Sequence, residues 1–211
     1  MASIGFIRYS NQCDSFSILL GKIKVVKKFL VKILESQEIG LERGKLAFIK
    51  PSKLDVLSKE VLEYLTKLTN ETFKHIGSSA VDGFLCKPII DILLPYKGKD
   101  LRVQTIENLV NMGFTYKGDY LSKVNQDKKI KPCRHFFTFY NDTQTKDYIH
   151  IHALPEMDPE CLNLIRLVDI LNKDINKRQI YASFKKMALD QSLQRKEYRN
   201  MKSSIIKKLL L

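Results

Sequence analysis

No stretch of this chain is apolar for long enough to cross a bilayer as a helix, which takes about 18 to 20 residues. The nearest candidate, residues 17–34, is broken by Lys22, Lys24, Lys27, Lys28 and Lys32. Residues 1–10 lack a charged segment followed by an unbroken apolar core, so no secretory signal is expected. The four cysteines, Cys13, Cys86, Cys133 and Cys161, form no CxxC pair and show no zinc-ligand spacing, which points to free thiols in a reducing compartment. Acidic residues are scarce beside basic ones, 23 against 36, and the net charge is +13. There is neither an internal repeat nor a recognised RNA-binding motif. These absences lead to the expectation of a soluble, cytoplasmic, basic protein.

What is present suits a folded domain. Hydrophobic residues make up 44% of the 211 positions, too many for a disordered chain and enough for one good core. The positive charge attracts polyanions such as nucleotides, nucleic acids, phosphorylated cofactors or an acidic membrane surface. It is spread through segments that also carry helical apolar spacing, so part of it is a solvated face.

Residues 1–44 stand apart as an N-terminal extension, and residues 45–211 read as one domain. Within the extension, Leu19, Ile23, Val26, Leu30 and Ile33 recur at helical intervals and predict a lysine-rich amphipathic helix over residues 17–35. Packing against the domain is its simplest role, and a membrane-surface or partner-binding helix is the alternative.

From Lys45 onward the pattern is mixed. Residues 46–49 read as a short strand ended by Pro51, and Ser52 opens a helix over residues 53–68. Asp100 is expected to cap a helix over residues 101–111, which Gly113 stops. Residues 114–116, 135–140 and 147–153 alternate aromatic or β-branched residues with polar ones and read as strands, with a charged loop at 123–131. Asp158 followed by Pro159 starts a helical end with a break near residues 172–176. The expected fold is α/β or α+β, a mixed sheet flanked by helices.

The chemistry concentrates between His75 and Leu94. Gly77 and Ser78 make a permissive turn whose backbone amides can approach a phosphate closely, with Ser79 following. Asp91 then sits inside the apolar run Ile89-Ile-Asp-Ile-Leu-Leu94. A carboxylate buried there costs several kcal/mol unless it is paired, and a divalent metal is one way to compensate it. A Gly-Ser turn followed by an aspartate on a strand is the arrangement used by nucleotidyltransferases, although structural turns and salt-bridged aspartates produce the same pattern. Cys86 lies in the motif but reads as packing. Lys87 is either a phosphate contact or a surface lysine at the start of a strand.

His75-Ile-Gly-Ser-Ser-Ala-Val with Lys87-Pro-Ile-Ile-Asp-Ile resembles the signature of the GrpB family, whose usual form continues Gly-Ser-Thr-Ala-Val-Pro-Gly before Lys-Pro-Ile-Ile-Asp-Ile. Arg134 before Phe136-Phe137 resembles the family's arginine-containing strand, and His150-Ile-His152 its His-x-His strand. Tyr181 with Lys185, and Tyr198 with Lys202, repeat its Tyr-x-x-x-Lys spacings, which helix packing with an exposed lysine also explains. The resemblance covers residues 45–211. It implies a nucleotidyltransferase-like fold, similar to a domain fused to dephospho-CoA kinase in some bacteria, but no settled reaction. Two departures matter: Asp82 stands where the family has proline, and Leu93 stands where a nucleotidyltransferase has its second strand carboxylate.

All four histidines, His75, His135, His150 and His152, fall in the matched motifs. On a strand His150 and His152 share a face, and with Asp91 they can form a two-histidine, one-carboxylate metal site. They can equally contact a phosphate, act as general acid and base, or be partly buried structural histidines. Lys87 and Arg134 are the candidate phosphate clamps, with His75, Gly77, Ser78 and Ser79 beside them. The expected function is binding of a nucleotide or other phosphate ligand, with transfer of a nucleotidyl group assisted by magnesium or manganese. A non-catalytic nucleotide- or coenzyme-binding module of the same fold is the alternative. RNA binding ranks after both.

Overall fold

The computed structural model of the chain describes residues 39–50, 52–121, 132–141 and 145–211, with residues 28, 30–32, 34 and 35 of a helical stretch before them. The strands are β1 (Leu41–Glu42), β2 (Lys74–Ile76), β3 (Ile90–Tyr96), β4 (Thr115–Tyr120), β5 (Arg134–Asn141) and β6 (Lys146–Pro155). The helices are α1 (Ser52–Thr69), α2 (Val103–Asn111), α3 (Pro159–Lys173), α4 (Ile175–Asp190) and α5 (Arg195–Leu210). The sheet runs β2-β3-β6-β5-β4, with β1 pairing β6 off this path. Strands β3 and β6 are parallel and the other pairs are antiparallel. This is the expected mixed sheet flanked by helices, with a helical C-terminal end.

Period-two alternation explains which face is core. Ile90, Ile92 and Leu94 of β3, Ile149 and Ile151 of β6, and Phe137 and Phe139 of β5 all point to one side and are buried. Against them α1 lays Leu54, Leu57, Val61 and Leu65, a helical stripe with exposures of 0 to 3%. Each such side chain stabilises the fold by about 1.5–3 kcal/mol relative to exposure. Leu30 and Leu34 join the same cluster, so the described part of the preceding helical stretch packs on the domain. The opposite face is covered at one end by α3, through Cys161 against Ile76, Leu93 and Leu154. Helices α3, α4 and α5 pack on one another around Leu167, Leu171, Tyr181, Phe184 and Tyr198.

The caps follow the local sequence. Asp158 accepts the amide of Glu160 at 2.7 Å and opens α3, with Pro159 at its first turn. Asp174 accepts the amides of Asn176 and Lys177 at 3.0 Å, separating α3 from α4 within the predicted break. A second break at residues 191–194, which the sequence pattern did not announce, frees α5 to fold back.

Three expectations change. Residues 46–49 form no strand: Ile49 makes one isolated bridge with Cys86, while Leu46 and Phe48 pack on the C-terminal helices. Asp100 is not at the N-cap of α2; Arg102 takes that position and provides no side-chain cap. Strand β4 continues to Tyr120 past Gly118, where the register with β5 shifts. The charged loop expected at 123–131 lies outside the described residues.

Candidate functional site

The face of the sheet left open by α3 carries the polar residues. Asp91 is the cross-strand partner of His150, and His150 of Thr138; Leu93 partners His152, and His152 partners Phe136. Alternation therefore sets Asp91, His150 and His152 on one face, and their side chains meet. Asp91 Oδ1 lies 3.5 Å from His150 Nδ1 and 3.9 Å from His152 Nε2. Phe136 stacks on His152 with ring centroids 5.0 Å apart and meets His150 edge-on at 5.2 Å.

The contacts extend outward in both directions. His150 Nε2 faces Asp147 Oδ2 at 3.9 Å, and Asp147 Oδ1 is paired with Arg43 Nε at 3.4 Å. On the other side Arg134 donates to His152 Nδ1 at 2.9 Å, and its Nε stands 3.4 Å from Glu160 Oε1. The result is a continuous row, Arg43–Asp147–His150–Asp91–His152–Arg134–Glu160, in which cationic or donor groups alternate with carboxylates except where Arg134 donates to His152.

Protonation follows from this order. Burial pushes Asp91 up, but the donors of His150 and His152, with the charge of His150, outweigh it and hold the carboxyl well below its ordinary range. Burial also opposes charge on His150, yet Asp147 and Asp91 raise its pKa above the usual imidazole value. His152 is lowered to about 4, first by burial and then by Arg134, against the pull of Asp91. At neutral pH the centre is thus an ionised carboxylate between a readily protonated ring and a neutral one.

A turn packs directly on Asp91. Gly77 has φ 73° and precedes a 3-10 turn over Ser78–Ala80. A β-carbon there would stand 2.9 Å from Asp91 Oδ2, so the close approach itself requires glycine. Ser79 is buried and shares a hydrogen bond of 2.9 Å with His75 Nε2. Burial lowers His75 to about 4 despite Asp91, so its neutral ring props the turn.

Lys87 enters from the other side. Burial lowers it to about 8, with Lys202, Arg195 and Arg199 adding to the shift and Asp91 opposing it. Residues 195, 199 and 202 fall on one face of α5, which aims that face at Lys87. The Lys87 ammonium sits 4.7 Å from the centre of the Tyr198 ring. Behind it Lys185 is wholly buried, donates to the Leu85 carbonyl and lies 4.3 Å from the centre of Phe84 and 4.7 Å from that of Tyr181. Burial lowers Lys185 to about 6. The exposed lysine offered as one explanation of the Tyr181–Lys185 spacing is therefore an interior one.

The fold brings together Gly77, Ser78, Ser79, His75, Lys87, Asp91, His150 and His152. Arg134 is next to them but turned inward, 13% exposed, toward His152 and Glu160. His135 belongs to the opposite face, where its Nδ1 is 2.8 Å from Tyr116 Oη. Cys86 is buried and its thiol pushed up to about 11 by burial, as suits packing. Sequence reasoning missed Arg43, Asp147, Glu160, Arg195 and Arg199. Of these, the i, i+4, i+7 spacing of Arg195, Arg199 and Lys202 was a visible signal; the others become partners only through cross-strand register.

A two-histidine, one-carboxylate metal site does not fit this arrangement. Arginine has no acceptor, so the ring nitrogen it donates to must be the bare one, and His152 Nε2 carries the hydrogen. Among the described residues no group of three or more His, Cys, Asp or Glu side chains has the geometry to hold a metal ion. A cavity of about 710 Å³ opens elsewhere, at the far end of β3, lined by Tyr96, Leu101, Met157, Leu162 and Ile165 among others. It includes none of Asp91, His150 or Lys87. No helix among the described residues is long and apolar enough to cross a membrane.

The family model described as GrpB protein matches residues 51–211. The crystal structure of the conserved protein GrpB from Enterococcus faecalis is similar with a TM-score of 0.60 at 20% identity, covering 78% of this chain and 94% of that one. Crystal structures of the Cid1 poly(U) polymerase align less well. The form with MgGTP bound has a TM-score of 0.36 at 15% identity, covering 74% of this chain and 47% of that one. The form with Mg 3'-dATP bound has a TM-score of 0.38 at 13% identity, covering 77% and 48%. No curated protein matches the chain.

Proposed function

We propose that this chain, which belongs to the GrpB family, binds a phosphate-rich ligand of the nucleotide class between the Gly77 turn and α5, with Asp91 at the reacting end. The observation that supports this best is the gathering of like charge around Lys87. Burial is the first cause that lowers Lys87, and the charges of Lys202, Arg195 and Arg199 add to it from the helix whose Tyr198 ring lies 4.7 Å from the ammonium. Packing cations together costs free energy in the empty protein and is offset when a polyanion occupies the gap. Arginine forks and a lysine point charge suit phosphate oxygens.

Asp91 suits an electrostatic role better than proton abstraction. A carboxylate held well below its ordinary pKa is a weak base and a strong partner for positive charge. Magnesium takes one or two carboxylates together with substrate phosphates, so Asp91 beside bound phosphates is the residue that would hold it. When bound, the ion would neutralise charge developing on a transferred phosphoryl group. His150, ready to carry a proton, can donate to a leaving or attacking oxygen near Asp91.

A second reading is a binding module without turnover, and Leu93 favours it. Leu93 is fully buried against Ile76, Leu154 and Cys161, so β3 offers one carboxylate on this face rather than two. One experiment separates the readings. Thermal unfolding is followed with ATP, GTP, CTP, UTP or coenzyme A, each with magnesium, with manganese and without metal, on the wild type and Asp91→Ala. A ligand that binds the native state raises the unfolding temperature. Metal-dependent stabilisation lost in Asp91→Ala supports transfer; metal-independent stabilisation supports the module. No shift with any ligand at saturation rejects both and leaves RNA as the next polyanion to test.

A further inference from the structure

We propose that Arg134 is a positioning residue, which fixes His152 as the tautomer with its proton on Nε2 and so presents an N–H dipole to Asp91. Such a role is distinct from a phosphate clamp and takes His152 out of any metal ligand set. A guanidinium has five N–H donors and no lone pair to offer. Its terminal nitrogen lies 2.9 Å from His152 Nδ1, a full hydrogen bond, so Nδ1 accepts. A neutral ring that accepts at Nδ1 carries its hydrogen on Nε2, the atom that faces Asp91 Oδ1 at 3.9 Å.

Arg134 is itself held. Its Nε side is turned to Glu160, whose side chain is only 6% exposed and sits in the first turn of α3. Two adjacent edges of the guanidinium thus face inward, one to Glu160 and one to His152. Phe136, stacked at 5.0 Å on the His152 ring with 22° between planes, restricts ring rotation from the side. Glu160 therefore holds Arg134 by charge, the Arg134 Nε making no hydrogen bond, while Arg134 donates to His152, whose Nε2 faces the Asp91 carboxylate. This is the logic by which outer partners set the orientation and tautomer of a working histidine. Its functional meaning rests on the proposed role of Asp91; the tautomer itself does not, and it can be read with no ligand present.

The test is a long-range proton–nitrogen NMR correlation of the histidine rings near pH 7, on the full chain labelled at histidine nitrogen. The expected wild-type pattern for His152 is a neutral ring protonated at Nε2. Arg134→Met should convert it to a mixture or to the Nδ1-protonated form. With ATP as the probe, Arg134→Met should lose affinity by no more than about threefold, whereas Lys87→Ala loses about tenfold or more, as expected for deleting a charged hydrogen bond. If Arg134→Met does not fold, Glu160→Gln removes the charge that faces the same guanidinium and should broaden or shift the His152 signals. The proposal is overturned by a wild-type His152 protonated at Nδ1, by loss of the His152 Nε2 hydrogen on adding zinc to free protein, or by an affinity loss in Arg134→Met as large as in Lys87→Ala. Failure of ATP to bind the wild type would reject the proposed ligand while leaving the tautomer result intact.

Discussion

Gly77 lies so close to Asp91 that a β-carbon on it would stand 2.9 Å from Asp91 Oδ2, and its φ of 73° is one that side-chain-bearing residues rarely adopt. The turn and the carboxylate are thus one unit. Gly77→Ala should cost about 1–3 kcal/mol of stability, from backbone strain and the displaced carboxylate. It should also abolish any ligand-induced rise in unfolding temperature. Urea unfolding gives the first quantity and thermal unfolding with ATP the second. A variant as responsive to ATP as the wild type would show that Asp91 need not hold its position.

Lys87 sets a pH dependence on ligand binding. With its pKa lowered to about 8, the side chain is cationic below that value and neutral above it. Affinity for a phosphate ligand should therefore fall as pH rises through about 8, and Lys87→Ala should remove that step. The measurement is a titration of ATP at several pH values, at constant ionic strength because surface charge is screened by salt. A step that persists in Lys87→Ala would assign it to another group.

Lys185 leaves its mark on stability. Its pKa is about 6 in the fold against the ordinary lysine value of 10.5, so between those values the unfolded chain binds more protons. Stability from this group is therefore lowest below about pH 6 and rises as pH climbs toward 10.5. Between pH 6 and 8 Lys87 does not yet contribute, so the difference between the wild type and Lys185→Met isolates Lys185. Urea unfolding across that interval should show a more positive pH slope in the wild type than in Lys185→Met. Equal slopes would mean that the amine is charged in the folded protein.

The helical stretch before the sheet belongs to the core. Leu34 is wholly buried in the cluster that includes Leu54, Ile92 and Ile151. Leu34→Ala should cost about 2–5 kcal/mol, the usual range for emptying such a site. A loss under about 0.5 kcal/mol would place Leu34 at the surface in solution. Arg43, also outside the region that carries the sequence resemblance, supports the same view through its pair with Asp147.

Much of the architecture was legible because local physics encodes it. Ser52 announced the helix over residues 53–68, Asp158-Pro159 announced a start, and the apolar run around Asp91 announced a strand. The central motif also located the turn and the carboxylate. Residues 46–49 misled because an apolar run reads equally well as a strand or as packing, and the adjacent segment supplied only Cys86 as a bridge partner.

What the sequence by itself determined, then, is the identity of the elements and the presence of a Gly-Ser turn, an aspartate and a His-x-His strand, all features written in short-range periodicity and turn chemistry. Tertiary structure decided their relations. It set β3 beside β6 so that Asp91 meets His150, turned Arg134 inward to His152, buried Lys185, and brought the cations of α5 to Lys87. Those outcomes depend on strand register and helix packing between segments far apart in the chain, which no local pattern records.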